Sequence, residues 1–186
     1  MTDSEAKSGF FFHISTFVRE HYPGMDLCSL IEAIRDQPAG IGRSISAFYL
    51  DAYVRNNGFD GLFFNRLGCL ASGAIEFYIR VLSPQRGRII RSAVEVCNFF
   101  EPELSRVNQL ELTPYALSVE PASIESGTDP KRSRFDLLDQ AYYAERELQL
   151  QSNRYKSRSP IGVIDWYADQ FPEDFPKDLI SKRTKS

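Results

Sequence analysis

The sequence has few cysteines and no long apolar run. Its three cysteines are scattered over 186 residues, so they match neither the disulfide framework of a small secreted protein nor paired zinc ligands. We expect Cys28, Cys69 and Cys97 to be buried free thiols. No apolar stretch approaches the roughly 20 residues that cross a bilayer, and the acidic start MTDSEAKSGF is unlike the basic beginning of a signal peptide. The sequence therefore predicts a cytoplasmic protein without membrane contact.

The sequence also lacks a recognisable catalytic or metal-binding pattern. Its two histidines, His13 and His21, are eight residues apart, which on a helix means about 12 Å of rise and directions about 80° apart. Such a pair is too widely spaced to share one metal ion. No serine has a nucleophile-elbow setting, and no glycine-rich loop follows a strand to cradle phosphate. We therefore predict a protein that is not an enzyme and that uses no metal or cofactor.

What the sequence does contain is helical periodicity along most of its length. Hydrophobic residues make up 42% and charged residues 25%, as in soluble globular proteins. The pattern predicts a mostly α, single-domain multi-helix bundle over residues 1–176, with an irregular, proline-rich segment around 101–130 and a basic flexible tail over 177–186. Apolar spacing and Pro, Gly and Asp signals predict helices at about 10–21, 26–37, 43–57, 69–82, 89–100, 134–151 and 160–171.

The stretch VRNNGFDGLFFN at positions 54–65 resembles a corner between two helices. Asn57 and Gly58 both tolerate left-handed geometry, and we expect Gly58 to end the third helix in that conformation. We expect Asp60 to cap the following turn and to direct Phe63 and Phe64 inward. On the helix before the corner, Asp51 and Arg55 are four residues apart and are expected to pair on its outer face.

The longer run YLDAYVRNNGFDGLFFN, from Tyr49 to Asn65, is similar to the signature of the bacterial family named after DNA mimic protein 19. Asn57, Gly61 and Leu62 depart from that signature, whereas the segments AIEFYIRVL and LLDQAYY resemble later helices of the family. The resemblance covers about residues 43–150 and implies an all-helical, dimeric, non-catalytic protein. It also implies that some members occupy a DNA-binding protein by imitating DNA. The motif residues, to which we assign a structural role, are Asn56, Asn57, Gly58, Phe59, Asp60, Phe63, Phe64 and Asn65.

Charge is segregated along this chain, although its net charge is only −3. A DNA mimic needs dense carboxylates on one face, since a duplex carries one negative charge per about 1.7 Å. One segment has seven acids and the single base Arg106, and we predict that its acidic residues form the partner-binding face. They are Glu95, Glu101, Glu103, Glu111, Glu120, Glu125 and Asp129.

Several functions stay open from the sequence. The leading hypothesis is a protein-binding module with a protein partner, either a DNA-binding protein or a toxin that it neutralises as an immunity or antitoxin-like protein. A second is direct nucleic-acid binding through three basic clusters, which we consider less favoured. A third is a small-ligand or hydrolase pocket near Asn57, Asp60 and Asn65. The basic clusters are Arg86, Arg88 and Arg91; Lys131, Arg132 and Arg134; and Arg154, Lys156 and Arg158.

Overall fold

The computed structural model describes residues 9–108, 130–151 and 160–183. Over these ranges the chain forms nine α-helices and no strand, which confirms the predicted mostly α bundle. Two 3-10 turns, Gly68–Leu70 and Pro172–Asp174, and a π-helical segment, Tyr78–Leu82, join some of them. The helices are α1 (Phe10–His21), α2 (Leu27–Ala33), α3 (Ala39–Phe64), α4 (Ala71–Phe77), α5 (Pro84–Phe100), α6 (Pro102–Val107), α7 (Pro130–Gln151), α8 (Pro160–Gln170) and α9 (Lys177–Arg183).

Capping side chains close in sequence mark the starts of α2 and α5. The Asp26 carboxylate accepts hydrogen bonds from the backbone nitrogens of Cys28 and Ser29, each at 3.1 Å, so it caps α2 as predicted. The Ser83 hydroxyl likewise accepts from the Arg86 nitrogen at 3.2 Å. With Pro84 in the first turn, this cap starts α5 five residues earlier than the apolar pattern alone predicted.

The centre of the fold is α3, which packs against α4, α7 and α8. Buried residues occur along nearly the whole length of α3, so this one helix contributes to most of the core. Residues 69–82, predicted as one continuous helix, are instead a 3-10 turn followed by α4 and the π-helical segment. The wider π turn brings Tyr78 to a fully buried position facing α7. The fully buried apolar residues of α3 are Ile41, Ala47, Leu50, Val54, Phe59, Leu62 and Phe63.

Three predicted boundaries were wrong. The third helix does not stop near Asn57 but continues to Phe64 across a break at Gly58. The proline-rich segment around 101–130 begins with the helix α6, while its residues 109–129 lie outside the described ranges. The predicted flexible tail contains α9, because Leu179 is only 1% exposed and anchors that helix to the core.

The expectation of three free thiols was also wrong. Cys28 of α2 and Cys69 of the first 3-10 turn form a disulfide, with a Cα–Cα distance of 5.7 Å. Only Cys97 is a buried free thiol among the described residues. The pairing depends on α2 packing beside that turn, and a sequence separation of 41 residues gives no local signal for it.

Two polar clusters join distant parts of the bundle. The buried side chain of Asn108 accepts from the Gly68 nitrogen at 2.7 Å and donates to the Phe63 oxygen at 3.0 Å, so it holds the turn after α3. Arg43 lies 3.0 Å from the Asp174 carboxylate and also donates to the Tyr167 hydroxyl at 3.0 Å. These contacts attach the end of α8 to the first turns of α3.

Candidate functional site

The family-like motif forms a break inside α3. Gly58 has φ 67° and ψ 179°, a backbone region that is essentially restricted to glycine. Its positive φ is as predicted, but ψ is extended rather than left-handed. The chain therefore re-enters the helix at once, and Phe59, directly after the break, is fully buried.

Two side chains of α7 satisfy the backbone groups that the break exposes. The Asp139 carboxylate accepts from the Phe59 nitrogen at 2.9 Å, as an N-cap does at the start of a helix. The Tyr143 hydroxyl lies 3.0 Å from the Val54 oxygen and 2.9 Å from the Arg55 oxygen. Since Asp139 and Tyr143 are one turn apart, a single face of α7 holds both sides of the break.

The remaining motif residues have local roles. The amides of Asn56, Asn57 and Asn65 donate to the carbonyl oxygens four residues earlier, at 2.9, 3.4 and 2.9 Å respectively. Phe63 points inward as predicted, but Phe64 is 76% exposed, so the expectation of two inward phenylalanines was wrong. Adjacent helical positions point about 100° apart, and here only one of the two can face the core.

Three aspartates converge at the break. Asp139 is flanked by Asp60 of α3 and by Asp136 of its own helix, and both carboxylates act on it electrostatically. Burial, followed by the charges of Asp136 and Asp60, raises the pKa of Asp139 to about 6 despite the hydrogen bond from Phe59. We call Asp60, Asp136 and Asp139 the acidic surface. Apart from Asp60, this surface could not be predicted from the sequence, because it depends on how α3 and α7 pack.

The raised pKa of Asp139 predicts a pH dependence of stability. An aspartate whose pKa is raised on folding stabilises the native state below pH 4, and that contribution is lost as pH rises through about 6. We expect the free energy of unfolding to fall by about 1 kcal/mol between pH 4 and 7 relative to Asp139→Asn, a value reduced for partial exposure. Urea titrations of both proteins at several pH values measure this. The prediction would be contradicted if the free energies of unfolding of the unmodified chain and of Asp139→Asn changed with pH in the same way.

A second polar cluster lies deeper, around Asp51. Its carboxylate was expected on the outer face of α3 but is 1% exposed. Arg86, 2% exposed, donates to Asp51 Oδ1, and the Tyr142 hydroxyl donates to the same atom at 3.1 Å. Arg55 Nε lies 3.2 Å from Oδ2, so the predicted pairing of Asp51 and Arg55 is present, although only Arg55 reaches solvent.

Aromatic rings complete the surroundings of Arg86. Its Cζ atom lies 4.3 Å from the ring centroids of both Tyr78 and Tyr142, an arrangement that stabilises a guanidinium in a desolvated site. Burial raises the pKa of Tyr78 to about 12 and that of Tyr142 well above its usual value. Both hydroxyls therefore keep their protons at neutral pH. The cluster occupies every oxygen of Asp51 with protein donors, and a substrate has no access to it.

The protein-family comparison covers this region of the chain. The model of the DMP19-like protein family matches residues 37–158, which include the broken helix, the Asp51 cluster and the whole of α7. This chain belongs to the DMP19-like family. Searches of curated proteins and of solved structures returned no match. The matched range begins six residues before the resemblance read from the sequence and ends eight residues after it, so it takes in the first turn of α3.

The predicted acidic face of this DMP19-like protein is only partly described. Glu95 on α5 is half-buried, and burial raises its pKa although Arg91 is close. Glu101 joins α5 to α6, and the exposed Glu103 lies 3.0 Å from Arg106. The structure thus brings Glu101 and Glu103 to one end of the bundle. The remaining predicted residues lie outside the described ranges: Glu111, Glu120, Glu125 and Asp129.

The first basic cluster of this DMP19-like protein does not form a common surface. Arg88 is exposed, whereas Arg86 is buried against Asp51 and cannot contact phosphate. In the second cluster Arg132 is exposed and the Arg134 guanidinium lies 5.4 Å from the Phe100 ring centroid. The third cluster, Arg154, Lys156 and Arg158, lies outside the described ranges.

One concave feature of the described part of the chain is a groove of about 1310 Å³. It runs between α2, the start of α3 and the turn after Phe64, and the disulfide cysteines lie in its wall. Asn65 lines it, but Asn57 and Asp60 do not, so the three residues of the hypothetical ligand pocket do not converge. Among the described residues no group of three or more His, Cys, Asp or Glu has metal-binding geometry, and no helix could span a membrane.

Proposed function

We propose that this DMP19-like protein is a non-catalytic protein-binding module that presents the acidic surface to the basic, DNA-binding face of another protein. The observation that carries the proposal is the position of three acids at the break in α3. Asp139 accepts from the Phe59 nitrogen at 2.9 Å, Asp60 directly follows Phe59, and Asp136 lies one turn before Asp139 on α7. A DNA-binding protein recognises closely spaced negative charges along a phosphate backbone. Three carboxylates held by two packed helices supply such charges on a rigid support.

Exposed apolar side chains beside these acids support a protein partner. Phe64, one turn after Asp60, is 76% exposed, and Leu137, next to Asp136, is 56% exposed. Protein interfaces combine an apolar, often aromatic, centre with a polar rim. Electrostatic attraction then gives selectivity for a basic surface, and Phe64 adds contact area that a purely ionic site lacks.

The test uses a bacterial lysate fraction that first binds and is then eluted from DNA-cellulose. We expect the immobilised chain to retain one or more proteins from this fraction and a 20-bp duplex to displace them. The double variant Asp60→Lys with Asp136→Lys should retain at least about tenfold less, because it places like charges opposite the partner. Retention is read by quantitative mass spectrometry.

The matched control is Glu20→Lys with Asp36→Lys, since both of these acids are exposed and lie on α1 and after α2. This control makes the same change in net charge. The amount of protein that it retains should differ by less than about twofold from the amount retained by the unmodified chain. If retention of protein falls equally in both double variants, or falls in neither, the acidic surface has no specific role in binding. Specific loss on reversing Glu101 and Glu103 would place the contact at the predicted acidic face instead. Binding of the chain itself to DNA-cellulose would favour direct nucleic-acid binding.

A further inference from the structure

The disulfide between Cys28 and Cys69 lies beside a core that is large enough to fold without it. Small secreted domains need disulfides because their cores are too small. This chain has 186 residues, and its buried cluster takes side chains from α1, α3, α4, α5, α7 and α8. The bond itself joins only the seven-residue α2 to a single 3-10 turn, so a role in holding the whole fold does not account for it.

Small molecules can approach this disulfide in the folded protein. Cys28 and Cys69 are both partly exposed, and both line the groove of about 1310 Å³. The third cysteine, Cys97, is fully buried. Exchange between a thiol and a disulfide begins when a thiolate attacks one of the bonded sulfur atoms, and access limits its rate. We therefore expect a small thiol to react with the Cys28–Cys69 bond while the core remains closed.

The fold holds the two ends of this bond with different firmness, and the Cys69 end is the firmer one. Cys69 lies between Gly68 and Leu70, which are both fully buried. The Gly68 nitrogen donates to the side chain of Asn108 at 2.7 Å, and that contact does not involve the disulfide. The turn that carries Cys69 therefore stays in place whether the bond is formed or broken.

Helix α2, at the other end, has few contacts of its own. A helix of this length is unstable by itself in water, and α2 packs most closely against the turn that carries Cys69. Among its seven side chains Leu30 is buried, together with Ile34 just after the helix. The flanking segments 23–26 and 35–36 are exposed, and Gly24 has φ 73° with open space around it. Breaking the disulfide therefore frees α2 rather than the turn.

We propose that the Cys28–Cys69 disulfide is a reversible redox switch, which fixes α2 beside the groove when it is oxidised and releases α2 when it is reduced. The groove is lined by residues of α2, such as Leu27, and by residues of α3, such as the buried Ser46. While the bond is intact, the position of α2 sets the width of the groove. After reduction α2 moves away, and the surface of α3 and α4 beneath it becomes accessible.

The reductant of this switch is a dithiol, and the exchange is balanced. One thiolate of the dithiol attacks a cysteine sulfur, the S–S bond breaks, and the other cysteine leaves as a thiolate that takes up a proton. The second thiolate of the dithiol then attacks the mixed disulfide and releases the remaining cysteine. The dithiol is oxidised to a cyclic disulfide, and its two electrons and two protons pass to Cys28 and Cys69.

This switch goes beyond the proposed partner binding and does not depend on it. None of Asp60, Asp136 and Asp139 lines the groove, so the acidic surface and the disulfide occupy different places on the bundle. The family match begins at residue 37, after Cys28, so the resemblance to the family does not imply the disulfide. Failure of either proposal therefore leaves the other unaffected.

Alkylation of the full chain tests whether the disulfide can be reduced in the folded protein. The chain is treated with dithiothreitol without denaturant and then with iodoacetamide, and peptide mass spectrometry measures the label at each cysteine. We expect Cys28 and Cys69 to carry at least about tenfold more label than Cys97, which the closed core protects. The proposal is overturned if Cys28 and Cys69 react only after denaturant is added, or if Cys97 is labelled to the same extent.

Hydrogen exchange tests what the bond holds in place. On reduction, amide exchange in residues 27–33 should become about tenfold faster or more, while peptides from α4, α5 and α8 should change by less than about twofold. Oxidised glutathione should restore the slow exchange. The double variant Cys28→Ser with Cys69→Ser should exchange like the reduced chain and should not respond to dithiothreitol. The matched control Cys97→Ala should respond as the unmodified chain does.

Two results of the exchange measurement would overturn the switch. If α2 exchanges equally in the oxidised and reduced chains, the bond does not hold this helix. If exchange rises equally in α2, α4, α5 and α8, the disulfide stabilises the whole bundle and does not act on one helix.

Discussion

Replacing Asp51 with Asn lowers the free energy of unfolding by about 3 to 5 kcal/mol, the usual cost of removing one partner of a buried ion pair. Asp51 and Arg86 are 1% and 2% exposed, so the guanidinium keeps its charge in a site that water does not reach. The amide that replaces the carboxylate preserves the shape of the site but not its charge. Guanidinium chloride unfolding at pH 7 measures the loss as a lower midpoint with an unchanged slope.

Removing the other partner of the ion pair, with Arg86→Met, lowers the free energy of unfolding by less than Asp51→Asn does. Arg55 Nε and Arg146 Nε lie 3.2 and 4.0 Å from the Asp51 carboxylate, so the acid keeps cationic neighbours when Arg86 is removed. The matched control is Arg106→Met, which breaks a pair whose members are 74% and 79% exposed and should cost less than about 1 kcal/mol. If Asp51→Asn costs no more than this control, the cluster does not stabilise the fold as described.

Replacing Gly58 with Ala lowers the free energy of unfolding by about 3 to 4 kcal/mol. Two terms add: alanine is strained at φ 67°, and its Cβ would meet the Asp139 carboxylate, which caps the second half of α3. Since Asp139 also bonds to Phe59, it cannot move away without exposing that backbone nitrogen. Thermal or urea unfolding measures the loss.

Gly24 is the matched control for this prediction. It has a similar φ of 73°, but a Cβ there meets nothing within 4 Å, so Gly24→Ala reports the conformational strain alone and should cost about 1 to 2 kcal/mol. The difference between the two variants then measures the contact with Asp139 together with the extra strain of the extended ψ at Gly58. Equal losses would show that this contact does not constrain the break.

Several features of this protein could be predicted from nearby residues. The cap at Asp26, the stop before Pro23 and the positive φ of Gly58 depend on hydrogen bonds and backbone sterics within a few positions. The same holds for the helical content, which follows from apolar spacing. Residue type and order therefore determined the helical content and the bounds of α1 and α8, whereas the bounds of α3, α4 and α5 differ from the predicted ones.

Contacts between distant segments decided the rest. Whether α3 stops or continues at Gly58 depends on Asp139 and Tyr143, about 80 residues later, which satisfy the backbone at the break. The burial of Asp51, the exposure of Phe64 and the Cys28–Cys69 disulfide likewise follow from the packing of α3, α7 and α2. The sequence by itself determined the helices and the glycine at the break, because those interactions are local. Only the tertiary structure brought three aspartates together, because their meeting depends on how distant helices pack.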